Sequence, residues 1–176
     1  MPRLRLRTLS RSTPTGHLEY GPLRLRCAVG RSGIGVRKRE GDGATPAGIW
    51  SFVEVRWRPD RGRRPSCCLP VRVIRPDQGW CDAPADRNYN RPVRLPYPAS
   101  AERLWREDHL YDVFVVLDHN RRPRVRGLGS AIFVHAARPG YAPTEGCIAL
   151  APRDLHLLLG RVARRSRLYV APAANA

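Results

Sequence analysis

Two apolar runs enclose a histidine and a cysteine in the segment Ile132–Leu150, IFVHAARPGYAPTEGCIAL. The first run is rich in β-branched and aromatic residues and ends on His135, so it predicts a buried strand. The second run follows Cys147, which stands directly after Gly146. A cysteine that the fold brings beside a histidine can become an activated nucleophile, because the imidazole takes up the thiol proton and stabilises the thiolate. Cys147 and His135 are therefore candidate catalytic residues.

Gly146 favours the same hypothesis. Without a Cβ atom it lets a substrate carbonyl approach the backbone, where main-chain N–H groups can hold a developing oxyanion. The alternative is structural, since cysteine is among the most buried residue types and a strand histidine is often a satisfied core residue. For an arbitrary histidine and cysteine at this spacing, the structural alternative is the more frequent one.

The pattern on the N-terminal side predicts a β-meander. Apolar and charged residues alternate in 4–7 and again in 23–29, as they do in half-buried strands. The segment 10–22 carries proline and glycine and is predicted to connect the two strands. Further strands are predicted over 49–55, 69–74, 111–117, 131–135 and 167–171. The segments 111–117 and 131–135 are the most apolar and should form the centre of the sheet.

Helices are few in this pattern. Ser100 predicts the N-cap of a short helix at 101–105. Pro152 predicts the start of a second, amphipathic helix, because the apolar residues that follow it recur at helical spacing: Leu155, Leu158, Leu159 and Val162. The proline-rich segment 77–98 predicts an ordered but irregular excursion. The fold class is thus mainly β, with mixed strands and one or two short helices.

The length of 176 residues predicts one domain spanning 1–176. No stretch of about 18 apolar residues occurs, which argues against a transmembrane helix. The basic N-terminus lacks the apolar core of an ordinary secretory signal, so a cytoplasmic location stays open.

The net charge of +17 raises the question of nucleic-acid binding. Of the 32 basic residues, all but Lys38 are arginine, and they are spread along the chain, which indicates a coding bias rather than a binding patch. No finger, RRM or helix-turn-helix pattern is present, so nucleic acid is not favoured. A basic surface equally suits an anionic polymer of the cell wall or envelope.

The cysteines and glycines exclude two other kinds of site. Five cysteines leave one thiol over even if the rest were paired, and no C-x-x-C pair accompanies Cys67 and Cys68, so no metal is expected. The glycine-rich stretch 41–48, GDGATPAG, precedes a strand rather than a helix and predicts a tight turn instead of a phosphate cradle. No G-x-S-x-G elbow offers a serine nucleophile.

Taken together, these motifs resemble the L,D-transpeptidase catalytic domain, or YkuD-like, family. His135 followed by Thr144-Glu145-Gly146-Cys147 is similar to that family's His … Ser/Thr-x-Gly-Cys motif, and the stretch 41–49 is similar to its Thr-Pro-x-Gly turn. The resemblance covers a core of about 23–170. It implies a β-sandwich of mixed strands and a thioester mechanism on peptidoglycan stem peptides, with no cofactor.

The resemblance also implies roles for individual residues. Cys147 is the nucleophile and His135 its base, with the Ala136 carbonyl orienting the imidazole. The N–H groups of Gly146 and Cys147 hold the oxyanion. Thr144 and Glu145 flank the substrate, and carbapenem-type inhibitors are expected to acylate Cys147. Because many family members have arginine where this chain has Ala149, Arg138 is the candidate substrate-binding cation.

Substrate and outcome are less closely constrained than the nucleophile. Glu145 stands where the family often has histidine or arginine. The family implies action in the periplasm or envelope and release of a terminal D-amino acid with formation of a cross-link. The same Cys-His pair could instead use water, as an L,D-carboxypeptidase or peptidase. A non-enzymatic basic module that binds a polymer is the alternative from another class.

Overall fold

The computed structural model describes residues 4–8 and 13–172, and nearly all of their regular structure is strand. The strands are β1 (Leu4–Thr8), β2 (Thr15–Tyr20), β3 (Leu23–Ala28), β4 (Ile34–Gly35), β5 (Thr45–Pro46), β6 (Gly48–Trp57), β7 (Val71–Val73), β8 (Gln78–Cys81), β9 (Arg91–Arg94), β10 (Ala101–Arg103), β11 (Val113–Leu117), β12 (Phe133–Ala136), β13 (Ile148–Leu150) and β14 (Arg167–Val170). The helix α1 (Pro152–Leu159) and a 3-10 turn at Pro139–Tyr141 complete the regular structure of these residues. The prediction of a mainly β fold is confirmed.

Most of the strands form one sheet that curls until it closes. Neighbouring strands follow the order β11-β12-β13-β3-β2-β1-β14-β6, and β6 then pairs back with β11. Strand β6 is long enough to close the ring, because residues 48–51 pair with β14 and residues 52–57 pair with β11. The pairs β1–β14 and β12–β13 are parallel, and the other pairs of the ring are antiparallel. The sheet is therefore mixed and barrel-like.

The inside of the ring is the main hydrophobic core, and α1 packs into it. Pro152 occupies the first turn of α1, where its missing N–H costs no hydrogen bond. The leucines at 155, 158 and 159 lie on one face of the helix and are buried in the core. The predicted helix beginning at Pro152 is confirmed.

Strand β11 is buried on both of its faces. Its odd-numbered residues, Val113, Val115 and Leu117, point into the ring, while Phe114 and Val116 join a second cluster outside it. A strand covered on both faces carries no polar alternation, which explains the continuous apolar run. The predicted burial of 111–117 and 131–135 is confirmed for the strands β11 and β12.

A small antiparallel sheet, in the order β10-β8-β9, contributes to the second cluster. Trp80 of β8 meets the ring of Phe133 edge to face, with centroids 5.1 Å apart. This region corrects two predictions. The segment 77–98 contains β8 and β9 rather than an irregular excursion, with Pro92 on the edge strand β9, where its missing N–H is tolerated. Residues 101–103 pair with β8 as a strand instead of starting the predicted helix, because tertiary pairing outweighs a local capping signal.

The N-terminal meander is confirmed, with one correction to its parts. Residues 15–20 of the predicted connection form β2, which pairs antiparallel with both β1 and β3. Leu18 of β2 is fully buried. The residues around it do not alternate regularly between apolar and polar, so the sequence did not predict this strand. Part of the predicted connection, 10–12, lies outside the described residues. Within the described part of the chain, no helix is both long and apolar enough to cross a membrane.

Packing of α1 makes one quantitative prediction. Leu158→Ala should lower the free energy of unfolding by about 2–5 kcal/mol, because it removes a buried side chain and leaves a cavity in the core. The matched change Leu128→Ala, at a position 44% exposed, should cost less than about 0.5 kcal/mol. Urea unfolding of both variants measures the difference, and equal losses would contradict the placement of α1.

Candidate active site

The parallel pairing of β12 with β13 places His135 and Cys147 on the same face of the sheet. His135 lies opposite Ala149 in the register. Side chains two residues apart along an extended chain point to the same face, so Cys147 shares the face of Ala149 and hence of His135. This face lies outside the ring, next to the second hydrophobic cluster, against which Cys147 packs.

Both side chains line one cavity of about 450 Å³. The cavity is mixed in character, with apolar walls beside charged groups. Its lining also includes Glu40, Asp82, Glu102, Arg106, Leu110, Tyr111, Ser130, Ala131, Ile132, Arg138, Ala142, Pro143, Thr144, Glu145 and Ala149. A larger groove of about 750 Å³ shares Leu110 and Arg138 with it but contains neither His135 nor Cys147.

The Cys147 thiol is held between a backbone acceptor and a backbone donor. Its Sγ atom donates to the Ala131 carbonyl at 3.1 Å and accepts from the Phe133 N–H at 3.4 Å. Burial, with a smaller contribution from the carboxylate of Glu102, raises the pKa of Cys147 to about 12, and Lys38 opposes this shift. The thiol is therefore protonated at neutral pH, whereas the sequence led us to expect a thiolate stabilised by the imidazole.

His135 is oriented for one tautomer. Its Nδ1 atom donates to the Ala136 carbonyl at 2.7 Å, because a carbonyl can only accept. Nε2 then carries the free lone pair and has no hydrogen-bond partner among the described residues. Burial lowers the pKa of His135 to about 4, and the nearby arginines 106 and 138 act in the same direction. The resting pair is thus a neutral imidazole and a thiol.

The loop before Cys147 is tied together by threonine hydroxyls. Thr144 Oγ1 accepts from the Gly146 N–H at 3.1 Å and donates to the Cys147 carbonyl at 2.6 Å. Thr45 Oγ1, fully buried, accepts from the Gly30 N–H at 2.8 Å and lies 3.4 Å from the same Cys147 carbonyl. The glycine-rich turn at 41–48 therefore serves to position the cysteine loop.

These contacts change two of the roles implied by the resemblance. The Gly146 N–H, expected to hold an oxyanion, is already bonded to Thr144. The Thr144 hydroxyl, expected to touch substrate, is occupied by the loop itself. Thr144 lines the cavity and Gly146 stands between two lining residues, but in this structure their polar groups stabilise the loop.

Glycine is required at 146 for two reasons. Its φ of +137° lies in the region that side chains disfavour, and a Cβ there would lie 2.9 Å from the Ala44 carbonyl oxygen. The turn glycines 41 and 43 also have positive φ, as predicted for a tight turn. A Cβ at position 146 would also lie 3.4 Å from Nζ of Lys38. This lysine is buried and ion-paired with Asp42.

The charged groups of the cavity form two sets. Glu102 accepts a hydrogen bond from the Tyr111 hydroxyl at 2.6 Å, and burial raises the pKa of this carboxyl. Tyr111 also packs edge-on against the His135 ring, with centroids 5.4 Å apart. The cations are Arg106, which lies over the Tyr111 ring, and Arg138, which is half exposed.

The remaining site residue from the sequence, Glu145, stands at the rim. It is exposed and ion-paired with Arg31 at 3.0 Å. Thr45 belongs to the Thr-Pro-x-Gly turn that the sequence singled out, although its contact with the Cys147 carbonyl was not predicted. Four further residues of the site were not predicted, because they are distant from the Cys147 motif along the chain and carry no motif of their own: Glu102, Arg106, Tyr111 and the acceptor Ala131. Among the described residues, no group of three or more His, Cys, Asp or Glu side chains is placed to hold a metal ion. All five cysteines are free.

Comparison with known proteins supports the motif-based resemblance. The family model described as the L,D-transpeptidase catalytic domain matches residues 10–170. The matched range runs from β2 to β14 and contains both His135 and Cys147. No curated protein and no solved structure matches the chain.

The first prediction from this site concerns Thr45. Thr45→Val keeps the shape of the side chain but leaves the buried Gly30 N–H without its acceptor, so the free energy of unfolding should fall by about 1–3 kcal/mol. Ser32→Ala is the matched control, because Ser32 bonds to the Asp42 carbonyl of the same turn at an exposed position. Chemical denaturation compares the two variants, and an equally small loss in both would contradict the proposed support of the cysteine loop.

The second prediction concerns thiol reactivity. With a pKa of about 12, roughly one Cys147 in ten thousand is ionised at pH 8, and this fraction rises about tenfold per pH unit up to about pH 11. Alkylation by iodoacetamide should therefore be slow at pH 8 and follow that slope, while the exposed Cys68 serves as the accessible reference. Peptide-resolved mass spectrometry gives both rates. A plateau for Cys147 below pH 8 would show a thiolate that this geometry does not provide.

Proposed function

Because the chain belongs to the L,D-transpeptidase catalytic domain family, we propose that it is a cysteine acyltransferase that acts on peptidoglycan stem peptides. The observation that carries the proposal is the placement of Cys147 and His135 on one face of the β12–β13 pair, lining one cavity. A cysteine and a histidine that only filled the core would not be expected to line the same cavity. The proposed setting for this activity is the periplasm or cell envelope.

The first half of the reaction forms a thioester. The Cys147 thiol leaves the Ala131 carbonyl and passes its proton to Nε2 of His135 while Sγ bonds to the substrate carbonyl carbon. The bond from that carbon to the nitrogen of the terminal D-residue then breaks, and the departing amine takes the proton from His135. The products are an acyl-enzyme and a free D-amino acid.

The second half regenerates the thiol. An acceptor amine attacks the thioester carbonyl and gives a proton to His135, the carbon–sulfur bond breaks, and His135 returns the proton to Sγ. With an amine acceptor the product is a cross-link. With water the same steps give a shortened stem peptide, as in a carboxypeptidase.

A neutral resting pair suits this sequence of proton transfers. The imidazole is available as a base at any pH above its pKa of about 4, so the reaction does not depend on a preformed ion pair. The thiol, however, is poorly ionised. In the proposed mechanism its proton therefore moves to His135 only when substrate is present. Since Thr144 holds the Gly146 N–H, the oxyanion relies on the Cys147 N–H or on a rearranged loop.

The charges of the cavity support a peptide substrate that carries both signs. Arg106 and Arg138 line the cavity and both pair with Asp108, a contact that a substrate carboxylate would replace; in the proposal they stand in for the arginine absent at Ala149. Asp82 and Glu102 also line the cavity and offer acceptors for an amine, and Glu102 lies 3.9 Å from Arg106. Glu145 at the rim is paired with Arg31, and it can exchange that contact for one with the substrate.

Acylation by a carbapenem tests the proposal directly. A β-lactam carbonyl accepts attack by a reactive thiol, and opening of the ring adds the whole inhibitor mass to the enzyme. Intact-protein mass spectrometry should show one adduct on the wild type and none on Cys147→Ala. Cys68→Ala, which removes an exposed thiol, should keep the adduct, and His135→Gln should slow its formation at least a hundredfold.

Muropeptide analysis then separates the outcomes. Incubation with a disaccharide tetrapeptide should give cross-linked dimers for a transpeptidase and tripeptides for a carboxypeptidase. The proposal would be wrong if the wild type gave neither adduct nor product. If Cys147→Ala then also retained salt-dependent binding of a polymer, the protein would be a non-enzymatic basic module.

A further inference from the structure

Asn90 is a buried polar hub between the small sheet and the active-site cavity. Its Oδ1 atom accepts from the indole N–H of Trp80 at 2.9 Å and from the Ala131 N–H at 3.1 Å. Its Nδ2 atom donates to the carbonyls of His119 and Asn120, at 3.2 and 2.8 Å. All the hydrogen-bonding capacity of the amide is therefore used by partners far away in the sequence.

Ala131, one of these partners, connects Asn90 to the reactive thiol. Its φ of +51° lies in the left-handed region, which alanine seldom adopts. Its N–H bonds to Asn90, and its carbonyl accepts the hydrogen bond from Cys147 Sγ. Since a strained conformation persists only where its surroundings fix it, the hydrogen bond from Asn90 is one of the contacts that hold Ala131 in this conformation.

We propose that Asn90 is a positioning residue for Cys147, which acts by holding Ala131 so that its carbonyl keeps the thiol proton in place until substrate arrives. The inference rests on the proposed function only in treating Cys147 as the nucleophile. The thiol faces two alternatives, the Ala131 carbonyl at rest and Nε2 of His135 in the reaction. A hydrogen bond to the protonated form disfavours ionisation, so release from Ala131 makes the thiol a better nucleophile.

Groups other than the Ala131 carbonyl also affect the ionisation of Cys147, and the effect of Asn90 has to be distinguished from theirs. Glu102 opposes ionisation, while Lys38 and the Phe133 N–H favour it. The other titratable and charged residues around the cavity are Glu40, Asp82, Arg106, Tyr111, His135, Arg138 and Glu145. None of these side chains is hydrogen-bonded to Asn90 among the described residues, so the hydrogen-bonded route from Asn90 to the thiol runs through Ala131.

The variant Asn90→Gly tests the proposal most directly. Asn90 has a φ of +56°, which glycine accepts freely, so the variant removes the side chain without adding backbone strain. We expect alkylation of Cys147 by iodoacetamide at pH 8 to rise about tenfold, with the rate profile displaced by about one pH unit to lower pH. Asn120→Gly is the matched control. Asn120 also has positive φ, but its side chain bonds within the 120–129 loop, so its profile should stay that of the wild type.

Two further measurements separate positioning from mere loosening of the fold. Cys27 is buried in the core and should stay unlabelled in Asn90→Gly. Asn90→Asp keeps the oxygen that accepts from Ala131 but loses the donor to the two carbonyls, so its thermal stability should fall while Cys147 reacts no faster than in the wild type. Labelling of Cys27 alongside Cys147, an unchanged profile in Asn90→Gly, or faster labelling in Asn90→Asp would each overturn the proposal.

A measurement on the wild type covers the case in which Asn90→Gly does not fold. The infrared difference spectrum between wild type and Cys147→Ala isolates the S–H stretch of this thiol. The proposal requires the lowered frequency of a thiol that donates to a carbonyl, and the frequency of a free thiol would overturn it. Because neither alkylation nor spectroscopy needs a peptide substrate, a failure here is distinguishable from failure of carbapenem acylation.

Discussion

The parallel pairing of β12 with β13 is the constraint on which the site depends, because it puts a histidine inside one strand on the same face as a cysteine just before the other. The pairing itself depends on closure of the ring, in which β13 must also pair with β3. The cysteine loop is then fixed from the opposite side by the turn at 41–48, since Ala44 and Thr45 approach Gly146 and the Cys147 carbonyl. The reactive thiol is thus located by backbone pairing and by glycines that allow close approach.

Burial has a second effect on the chemistry. The same second cluster that covers the outer face of β11 and β12 packs against the partly buried Cys147, and His135 is buried; desolvation moves both pKa values toward the neutral forms. Under the proposed function, such a site would keep the Cys147 thiol protonated at rest. Selectivity would then arise because only a ligand that reorganises the hydrogen bonds of the thiol triggers proton transfer.

Much of the fold and the central pair could be predicted from the sequence, for identifiable reasons. The strands β11 and β12 are buried on both faces and therefore give strong apolar runs, and His135 and Cys147 stand at fixed positions within or beside such runs. The small sheet could not be predicted, because β8, β9 and β10 are three or four residues long and their pairing is set by Trp80 and its distant neighbours. For the same reason the N-cap signal of Ser100 predicted a helix where the structure has the strand β10.

The site residues that were missed share one property: their role comes from contacts between distant segments. The Ala131 carbonyl reaches the Cys147 thiol, and Glu102 reaches Tyr111, only after the sheet has closed. The protonation state of Cys147 was not predicted for a related reason, since the desolvation that raises its pKa depends on the assembled fold. Spacing motifs specify which groups can react, whereas their ionisation is a property of the assembled surroundings.

Lys38 has a consequence for an enzyme that would transfer acyl groups to amines. It is the single lysine of the chain, and it is buried and ion-paired with Asp42, while the exposed cations are arginines. A guanidinium stays protonated and does not act as a nucleophile at physiological pH. If the proposed thioester forms, the folded protein offers no exposed lysine amine that would compete with the acceptor for it, and neighbouring molecules would not be joined to one another through lysine side chains.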